Sequence, residues 1–226
     1  MQRQPEPPTL DLFPSDEGAS ARPKREALAP GAWLLRGLAL PDIPALWAEV
    51  QAVLGQAPFR HMSTPGGFRM SIAISNCGAL GWVSDRRGYR YAALDPESLT
   101  PWPPLPTAFL GLAARAAALA GFADFTPDAC LINRYEPGAR LTLHQDRNER
   151  DFTHPIVSVS LGLPAVFLFG GLRRSDPTRR VPLMHGDVAV WGGPARLHHH
   201  GVLALMAGEH PLTGECRINL TLRRAG

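Results

Sequence analysis

Short apolar runs separated by turn residues fill the second half of the chain. The clearest runs are CLINRY, PIVSVSLG, AVFLFGG, HGDVAVWGG and CRINLTLRR, all of them from Cys130 onward. The segment from Glu136 to Ala139 puts proline and glycine at the centre of a type II turn, which would join two strands. Because no run of helical length interrupts the series, the pattern predicts an antiparallel sandwich or barrel.

The first half of the chain has two helical patterns and a polar start. Residues 43–54 (IPALWAEVQAVL) repeat apolar residues at helical spacing, and residues 105–121 (LPTAFLGLAARAAALAG) end in glycine, as helices often do. Residues 1–26 are rich in proline, arginine and acidic residues without periodicity, which is typical of a flexible leader. We therefore predict a leader at 1–26, an N-terminal extension with helices at 27–128 and a strand-rich core at 129–226. The extension and the core would form one integrated domain.

The composition restricts the classes of protein to which this chain can belong. With 226 residues, of which 45% are apolar and 19% charged, the chain can build one good core but not two large domains. No apolar run reaches the length of a membrane span, about 18 residues, and the start lacks the apolar stretch of a secretory signal. Three scattered cysteines match no zinc spacing and suit a reducing compartment. We expect a cytoplasmic monomer without a membrane partner, since no exposed apolar helix calls for a dimer.

Charge and missing motifs narrow the chemistry further. The formal net charge is +3 and the pI is near 9.1, which permits an acidic partner without requiring one. Lys24 is the only lysine and lies in the predicted leader, which disfavours a Schiff-base lysine and a phosphate-binding-loop lysine. A G-x-G-x-x-G segment is absent, which weakens the case for a nucleotide cofactor.

A histidine and a carboxylate share one face of a predicted strand. In LTLHQDRN, strand alternation points His144 and Asp146 to the same side. With a second histidine they would form the 2-His-1-carboxylate set that leaves open positions on a non-haem Fe(II) ion. His198 and His200 in ARLHHHGVL share one face and are the candidates, while His199 points away. The alternative interpretation is an exposed strand whose histidines are ordinary surface residues.

The C-terminal run CRINLTLRR alternates more regularly than any other. Its apolar residues take one face of a strand, and Arg217, Asn219, Thr221 and Arg223 take the other. One interpretation is that the arginines face water. The other is that the polar face lines a cavity, where the two arginines would hold the ends of a small dicarboxylate through their planar guanidinium groups.

Several segments together resemble the bacterial AlkB proteins, which are Fe(II)- and 2-oxoglutarate-dependent dioxygenases that repair alkylated nucleic acid. These segments are NRYEPGARLTLHQDRNE, PIVSVSLGLPAVFLFGGLRR, HGDVAVWGG, HHHGV and CRINLTLRRAG. The likeness runs from about Phe59 to Gly226, and NRYEPGA and the Arg-x-Asn-x-x-x-Arg ending are its most specific parts. The resemblance implies an α+β, mainly β, fold with a double-stranded β-helix (jelly roll) core. It also implies a nucleotide-recognition lid in the N-terminal extension.

The resemblance implies a role for each matching residue of the core. The iron ligands would be His144, Asp146 and His200, the last because the family places this ligand directly before a glycine. The residues that would bind 2-oxoglutarate are Asn133, Tyr135, Arg217, Asn219 and Arg223. Leu131 and Trp191 would form the cavity wall, although Trp191 also suits a simple place in the core. O2 would be the second cosubstrate.

The segment GWVSDRRGYRY matches the family's base-recognition lid. The resemblance implies that Trp82 stacks on the damaged base opposite His144, since a flipped base needs aromatic stacking and nearby basic groups. The other implied substrate contacts are Tyr89, Arg90, Tyr91, Asn148 and Arg174. Without the resemblance, the same aromatic residues would simply pack a hairpin.

The chain departs from the family pattern in two places. Asn148 stands where relatives usually carry an acidic residue that reads the base edge, and an amide both donates and accepts hydrogen bonds. His198 and His199 stand where the family tends to have aromatic residues. Neither change removes an implied iron ligand.

The resemblance implies oxidative demethylation of bases such as 1-methyladenine and 3-methylcytosine, with release of formaldehyde. The substrate would be single- or double-stranded DNA, with RNA as a second candidate. One alternative is a hydroxylase of a different, non-nucleic-acid substrate. Another is a non-catalytic nucleic-acid-binding module that holds zinc in the same site.

Overall fold

Residues 24–226 are described by the computed structural model of the protein, and strands dominate them. In chain order the strands are β1 (Arg25–Ala29), β2 (Ala32–Leu35), β3 (Ala73–Gly78), β4 (Gly81–Asp85), β5 (Gly88–Ala92), β6 (Ala129–Tyr135), β7 (Leu141–His144), β8 (Ile156–Gly162), β9 (Ala165–Phe169), β10 (Arg179–Leu183), β11 (Val188–Trp191), β12 (His200–Val202) and β13 (Arg217–Arg223). The helices are α1 (Ile43–Gln56) and α2 (Thr107–Leu119). Both predicted helices are thus confirmed to within two residues at each end.

Two antiparallel sheets form the predicted jelly roll. The larger sheet has seven strands in the spatial order β1-β2-β11-β8-β13-β6-β3, and the smaller has four in the order β10-β9-β12-β7. Buried side chains from both sheets, among them Tyr135, Ile156, Phe167 and Val181, form one apolar cluster between them. The α+β, mainly β, class is therefore confirmed.

The N-terminal extension contributes strands to the larger sheet. β2 pairs with β11, and β3 pairs with β6, so strands from both sides of residue 128 share one hydrogen-bonded sheet. This arrangement agrees with one integrated domain. The fold starts earlier than predicted, because Arg25 and Glu26 already belong to β1. The remainder of the predicted leader, residues 1–23, lies outside the described residues.

Both helices cover the outer face of the larger sheet. α1 buries Leu46, Val50 and Val53, and α2 buries Phe109 and Leu112 together with three alanines. These side chains pack against the apolar residues of β8 and β13 in one cluster. Within the described part of the chain, no helix is long and apolar enough to cross a membrane.

Strand β13 is buried on both faces, which decides between the two interpretations of its pattern. Its apolar residues Ile218, Leu220 and Leu222 lie in the helix-covered cluster. Its polar residues point into the space between the sheets and are at most 6% exposed: Arg217, Asn219, Thr221 and Arg223. The arginines therefore line an interior space and do not face water.

The segment predicted to be the lid forms a two-stranded hairpin of β4 and β5. The hairpin pairs with neither of the larger sheets. The Asn76 side chain attaches it to β3, because its Nδ2 donates to the Trp82 carbonyl at 3.0 Å and its Oδ1 accepts from the Trp82 N–H at 3.0 Å. This double hydrogen bond fixes the position of Trp82.

Candidate active site

A cavity of about 910 Å³ lies between the two sheets and reaches the lid. Small-molecule sites in proteins usually have volumes of roughly 300–1,000 Å³, so this cavity lies at the upper end of that range. Its inner wall includes the polar face of β13, and Trp82 and Tyr89 contribute to its outer part. Leu131 and Trp191, the predicted wall residues, also line it.

Three candidate metal ligands converge in this cavity. His144 ends β7 and pairs with His200 of β12, and Asp146 follows two residues later. The Nε2 atoms of His144 and His200 lie 3.6 and 3.5 Å from the Asp146 carboxylate oxygens. One ligand atom from each of the three residues lies within 4.8 Å of the others. Because β7 ends at His144, strand alternation does not place Asp146, which belongs to the following loop.

Backbone contacts orient both imidazoles toward the metal position. The Nδ1 atom of His144 is 2.9 Å from the Thr142 carbonyl, and that of His200 is 3.0 Å from the His198 carbonyl. A carbonyl only accepts, so each Nδ1 carries the proton and each Nε2 presents its lone pair, as metal binding requires. His198 packs instead on Phe169, with ring centroids 5.4 Å apart, which resolves the choice between the two histidines in favour of His200.

The protonation states suit a metal ion. Burial disfavours the Asp146 anion, but Arg223 and the two histidines hold the pKa of its carboxyl well below the usual range. Burial and the neighbouring His144 lower the pKa of His200, which favours the neutral ring. Burial opposes protonation of His144 as well, but the Asp146 carboxylate raises its pKa.

Arg217 is a buried cation that has no carboxylate partner among the described residues. It is 1% exposed, and its Nε and Nη1 atoms have no hydrogen-bond partner within residues 24–226. Its remaining contacts are Nη2 to the Ser160 hydroxyl at 3.0 Å and the Tyr135 ring, 5.0 Å away. Among the described residues, no carboxylate lies within 4.0 Å of it, and burial lowers its pKa. Since a buried charge needs a counter-charge, Arg217 fits the far carboxylate of 2-oxoglutarate.

Arg223, six residues along the same strand face, is already compensated. Its Nη2 donates to Asp146 Oδ2 at 2.7 Å, and its Nε lies 3.2 Å from Glu149 Oε1. The sequence pattern treats the two arginines alike, but their environments differ. The structure therefore brings Arg223 to the candidate metal ligand and leaves Arg217 open toward an added anion.

The other predicted cosubstrate residues lie beside these arginines. Asn133 Nδ2 donates to Asn219 Oδ1 at 3.3 Å, and Asn133 Oδ1 has no partner. Asn219 Nδ2 donates to the Ser158 hydroxyl at 2.8 Å. Both amides are thus oriented by buried partners, and both line the cavity.

Four of the predicted substrate residues line the cavity: Trp82, Tyr89, Asn148 and Arg174. The rings of Trp82 and Tyr89 are stacked, with centroids 5.6 Å apart and planes 14° from parallel. Asn148 Oδ1 accepts a hydrogen bond from Trp82 Nε1 at 3.2 Å. The amide at this position therefore orients the lid tryptophan.

Two predicted substrate residues do not line the cavity and contact other side chains instead. Arg90 pairs with Val83 across the hairpin, on the face opposite Trp82, and forms a two-point ion pair with Asp85. That contact lowers the pKa of Asp85 to about 2. Tyr91 points inward, where its hydroxyl contacts Glu149 and Arg223. The predicted direct contacts of Arg90 and Tyr91 with the nucleotide thus lack support in the geometry.

The sequence analysis missed residues that tertiary contacts bring to the site. Glu149 and Arg196 are buried charged residues next to Asp146. No local signal identified them, because an acidic residue in RNERD and an arginine in PARLH look like solvated charges. Phe68 and Arg69 line the outer cavity from an exposed loop. The signal that would have found them is an apolar residue within the turn sequence TPGGFR.

Comparisons with known proteins agree with this site. The sequence matches the 2OG-Fe(II) oxygenase superfamily over residues 33–223, which include all three candidate metal ligands. It is 56% identical to "Alpha-ketoglutarate-dependent dioxygenase AlkB" of Escherichia coli (strain K12), over 96% of this chain and 98% of that protein. It is 29% identical to "DNA N(6)-methyladenine demethylase ALKBH1D" of Arabidopsis thaliana, over 88% of this chain and 50% of that protein. The solved structure "The structure of OsALKBH1" matches with a TM-score of 0.79 and 28% identity, over 89% of this chain and 100% of that one.

Proposed function

The chain belongs to the 2OG-Fe(II) oxygenase superfamily and, within it, to the AlkB dioxygenases, and on this premise we propose that it demethylates N-alkylated bases in nucleic acid. It is an Fe(II)- and 2-oxoglutarate-dependent dioxygenase. One observation carries the choice of substrate: a stacked aromatic pair on the lid and a His-Asp-His triad line the same cavity. A base that stacks on Trp82 would have its methyl group near the metal.

His144, Asp146 and His200 would hold the iron. When bound, Fe(II) with 2-oxoglutarate and O2 supplies the oxidation that converts an N-methyl group to formaldehyde, with succinate and CO2 as coproducts. The chain itself orients the reactants. Arg217 would bind the far carboxylate of 2-oxoglutarate, because its Nε and Nη1 donors are buried and unpaired. Asn133 and Tyr135 would contact the same molecule from β6.

The lid would hold the base and exclude water. Stacking of a base on an aromatic side chain contributes about 1–3 kcal/mol. This energy offsets the cost of flipping the base out of the helix. The cost of flipping is least for bases in single strands and for damaged bases. Asn148 keeps the Trp82 indole in place through the Nε1–Oδ1 hydrogen bond. We therefore propose 1-methyladenine and 3-methylcytosine in single-stranded DNA as preferred substrates, with double-stranded DNA and RNA as further ones.

The distribution of arginines supports a phosphate-bearing substrate. Four exposed arginines line the cavity and have no carboxylate within 4.0 Å among residues 24–226: Arg69, Arg140, Arg147 and Arg174. Arg60 and Arg115, which lie outside the cavity, pair instead with aspartates. Unpaired cations around the opening suit the negative phosphates that flank a flipped base.

We also propose that the protein acts as a cytoplasmic monomer. The three cysteines form no disulfide among the described residues, although Cys77 and Cys130 are direct neighbours across β3 and β6, and this suits a reducing compartment. Sedimentation at micromolar concentration would test the monomer.

Anaerobic reconstitution with Fe(II) tests the proposal. O2, 2-oxoglutarate and a single-stranded oligonucleotide with one 1-methyladenine are then added, and formaldehyde, succinate and repaired base are quantified. We expect equal amounts of formaldehyde and repaired base, and neither from Asp146→Ala. Succinate without base repair would favour a hydroxylase of another substrate. Oligonucleotide binding without either product, from iron-loaded protein, would favour a non-catalytic module.

A further inference from the structure

A buried ionic cluster of Tyr91, Glu149, Arg196 and Arg223 lies next to Asp146. The side chain of Glu149 is 1% exposed and that of Arg196 is 3% exposed. Glu149 lies between two guanidinium groups, with Oε2 3.3 Å from Arg196 Nη2 and Oε1 3.2 Å from Arg223 Nε. Buried charges persist only when they are paired in this way. Glu149 lines the inner part of the cavity, and both of its carboxylate oxygens already lie against guanidinium groups.

The cluster connects the lid to the candidate metal ligand. The Tyr91 hydroxyl donates to Glu149 Oε1 at 3.0 Å and accepts from Arg223 Nη1 at 3.2 Å. Arg223 Nη2 donates to Asp146 Oδ2 at 2.7 Å. One guanidinium therefore contacts the lid, the buried carboxylate and the metal-binding carboxylate at once.

A second contact of the cluster fixes the backbone of Asp146. Arg196 Nη1 donates to the Asp146 main-chain carbonyl at 2.9 Å, and its Nε donates to the His154 carbonyl at 3.1 Å. Asp146 lies in a loop and has no strand pairing of its own. Its orientation thus depends on two arginines that Glu149 holds together.

We propose that Glu149 and Tyr91 are positioning residues that couple the lid to the metal-binding carboxylate of Asp146, an inference that rests on the function proposed above. Tyr91 attaches the hairpin to Glu149, Glu149 orients Arg223, and Arg223 orients Asp146. Nucleic acid on the lid and metal in the cavity then influence each other. This coupling is reciprocal: the metal raises oligonucleotide affinity by the same factor as the oligonucleotide raises metal affinity.

Binding of Mn(II) alone, followed through the electron paramagnetic resonance signal of the free ion, is the first readout. Tyr91→Phe removes only a hydroxyl that does not touch the metal site, and we expect it to weaken Mn(II) binding about 3- to 10-fold, as loss of one or two hydrogen bonds would. Glu149→Gln should weaken it about 10- to 100-fold, the range for residues that orient metal ligands. Ser84→Ala is the matched control. It also removes one hydroxyl from the same hairpin face, but that hydroxyl donates to the Ser63 carbonyl at 2.6 Å and does not contact the cluster, so Mn(II) affinity should not change.

Affinity for a short 1-methyladenine oligonucleotide, with and without Mn(II), is the second readout. We expect Mn(II) to raise the oligonucleotide affinity of the wild type and of Ser84→Ala, and to raise that of Tyr91→Phe less. Wild-type Mn(II) binding by Tyr91→Phe, with an undiminished effect of Mn(II) on the oligonucleotide, would overturn the coupling. If the wild type bound no oligonucleotide, the proposed function would fail, while the Mn(II) comparison would still decide the positioning role. Melting temperatures identify unfolded variants, and Tyr91→Phe remains decisive if Glu149→Gln does not fold.

Discussion

Replacement of Arg217 with methionine should change protein stability and cosubstrate affinity in opposite directions. Arg217 is 1% exposed, and no described carboxylate lies within 4.0 Å of it. Without an anion in the cavity its charge is buried at a cost. Methionine fills a similar volume without that charge, so the cosubstrate-free protein should become more stable. The same change removes the counter-charge that 2-oxoglutarate would meet.

The magnitude follows from the contacts of the guanidinium. Loss of the Ser160 hydrogen bond costs about 1 kcal/mol, and loss of the Tyr135 ring contact costs about 1–2 kcal/mol. Apolar replacement of buried ions has stabilised proteins by a net of about 1–4 kcal/mol, a figure that already includes the loss of such contacts. We expect a net gain of about 1–2 kcal/mol, which raises Tm by roughly 2–8 °C in a chain of this size. Affinity for 2-oxoglutarate should fall by roughly 100- to 5,000-fold, which corresponds to about 3–5 kcal/mol for loss of one partner of a buried ion pair.

Two measurements on the same protein check this prediction. Calorimetric unfolding without ligands gives the stability change, and titration calorimetry with Mn(II)-loaded protein gives the affinity for 2-oxoglutarate. Arg223→Met is the matched control, because it leaves the buried Asp146 carboxylate without its arginine and should destabilise the protein by about 3–5 kcal/mol. A lower Tm for Arg217→Met, together with unchanged 2-oxoglutarate affinity, would refute the reasoning and make Arg217 a structural residue.

Three further predictions concern the lid, the opening and the surface. Trp82→Ala should weaken binding of a 1-methyladenine oligonucleotide about 5- to 150-fold, as loss of one stacked base would, without change in Mn(II) affinity. When the affinity for single-stranded DNA is measured at several salt concentrations, Arg147→Ala should reduce the slope of log binding constant against log salt concentration by about 0.7. Arg180→Ala, which changes an exposed arginine outside the cavity, should leave this slope unchanged. Burial and the nearby His210 lower the pKa of His185 from 6.5, so the unfolded chain binds that proton more tightly and stability should fall as the pH drops below 6.5. Between about pH 8 and pH 5, the unfolding midpoint of His185→Gln should fall less than that of the wild type. An equal fall in both proteins would show that His185 does not cause the pH dependence.

Local periodicity in the sequence determined the secondary structure and part of the site. Apolar spacing located α1 and α2 to within two residues at each end. The turn at Glu136–Ala139 is also present, since the Ala139 N–H donates to the Glu136 carbonyl at 2.9 Å and Gly138 has a positive φ of 84°. These features depend on residues a few positions apart, so a linear pattern contains the information. The resemblance then supplied the metal triad, whose side chains the structure brings together.

The alternation of polar and apolar residues in β13 shows what such a pattern can and cannot predict. It separated four polar residues from the apolar ones but left open which face was inside. Both faces proved to be buried, because the helices cover the apolar face and the second sheet covers the polar one. The number of layers around a strand is a property of the whole fold, so the strand's own sequence does not contain it.

Only the tertiary structure decided how the buried charges are shared. Arg217 and Arg223 look equivalent in the sequence, yet one lacks a carboxylate partner and the other contacts Asp146 and Glu149. Tyr91 looked like a substrate contact, but its hydroxyl meets Arg223, 132 residues away in the chain. Coulomb energies in a low-dielectric interior depend on distances of a few ångströms between groups from different segments. Those distances are set only when the chain folds. The sequence therefore determined which chemical groups were present, and the fold decided which of them act together.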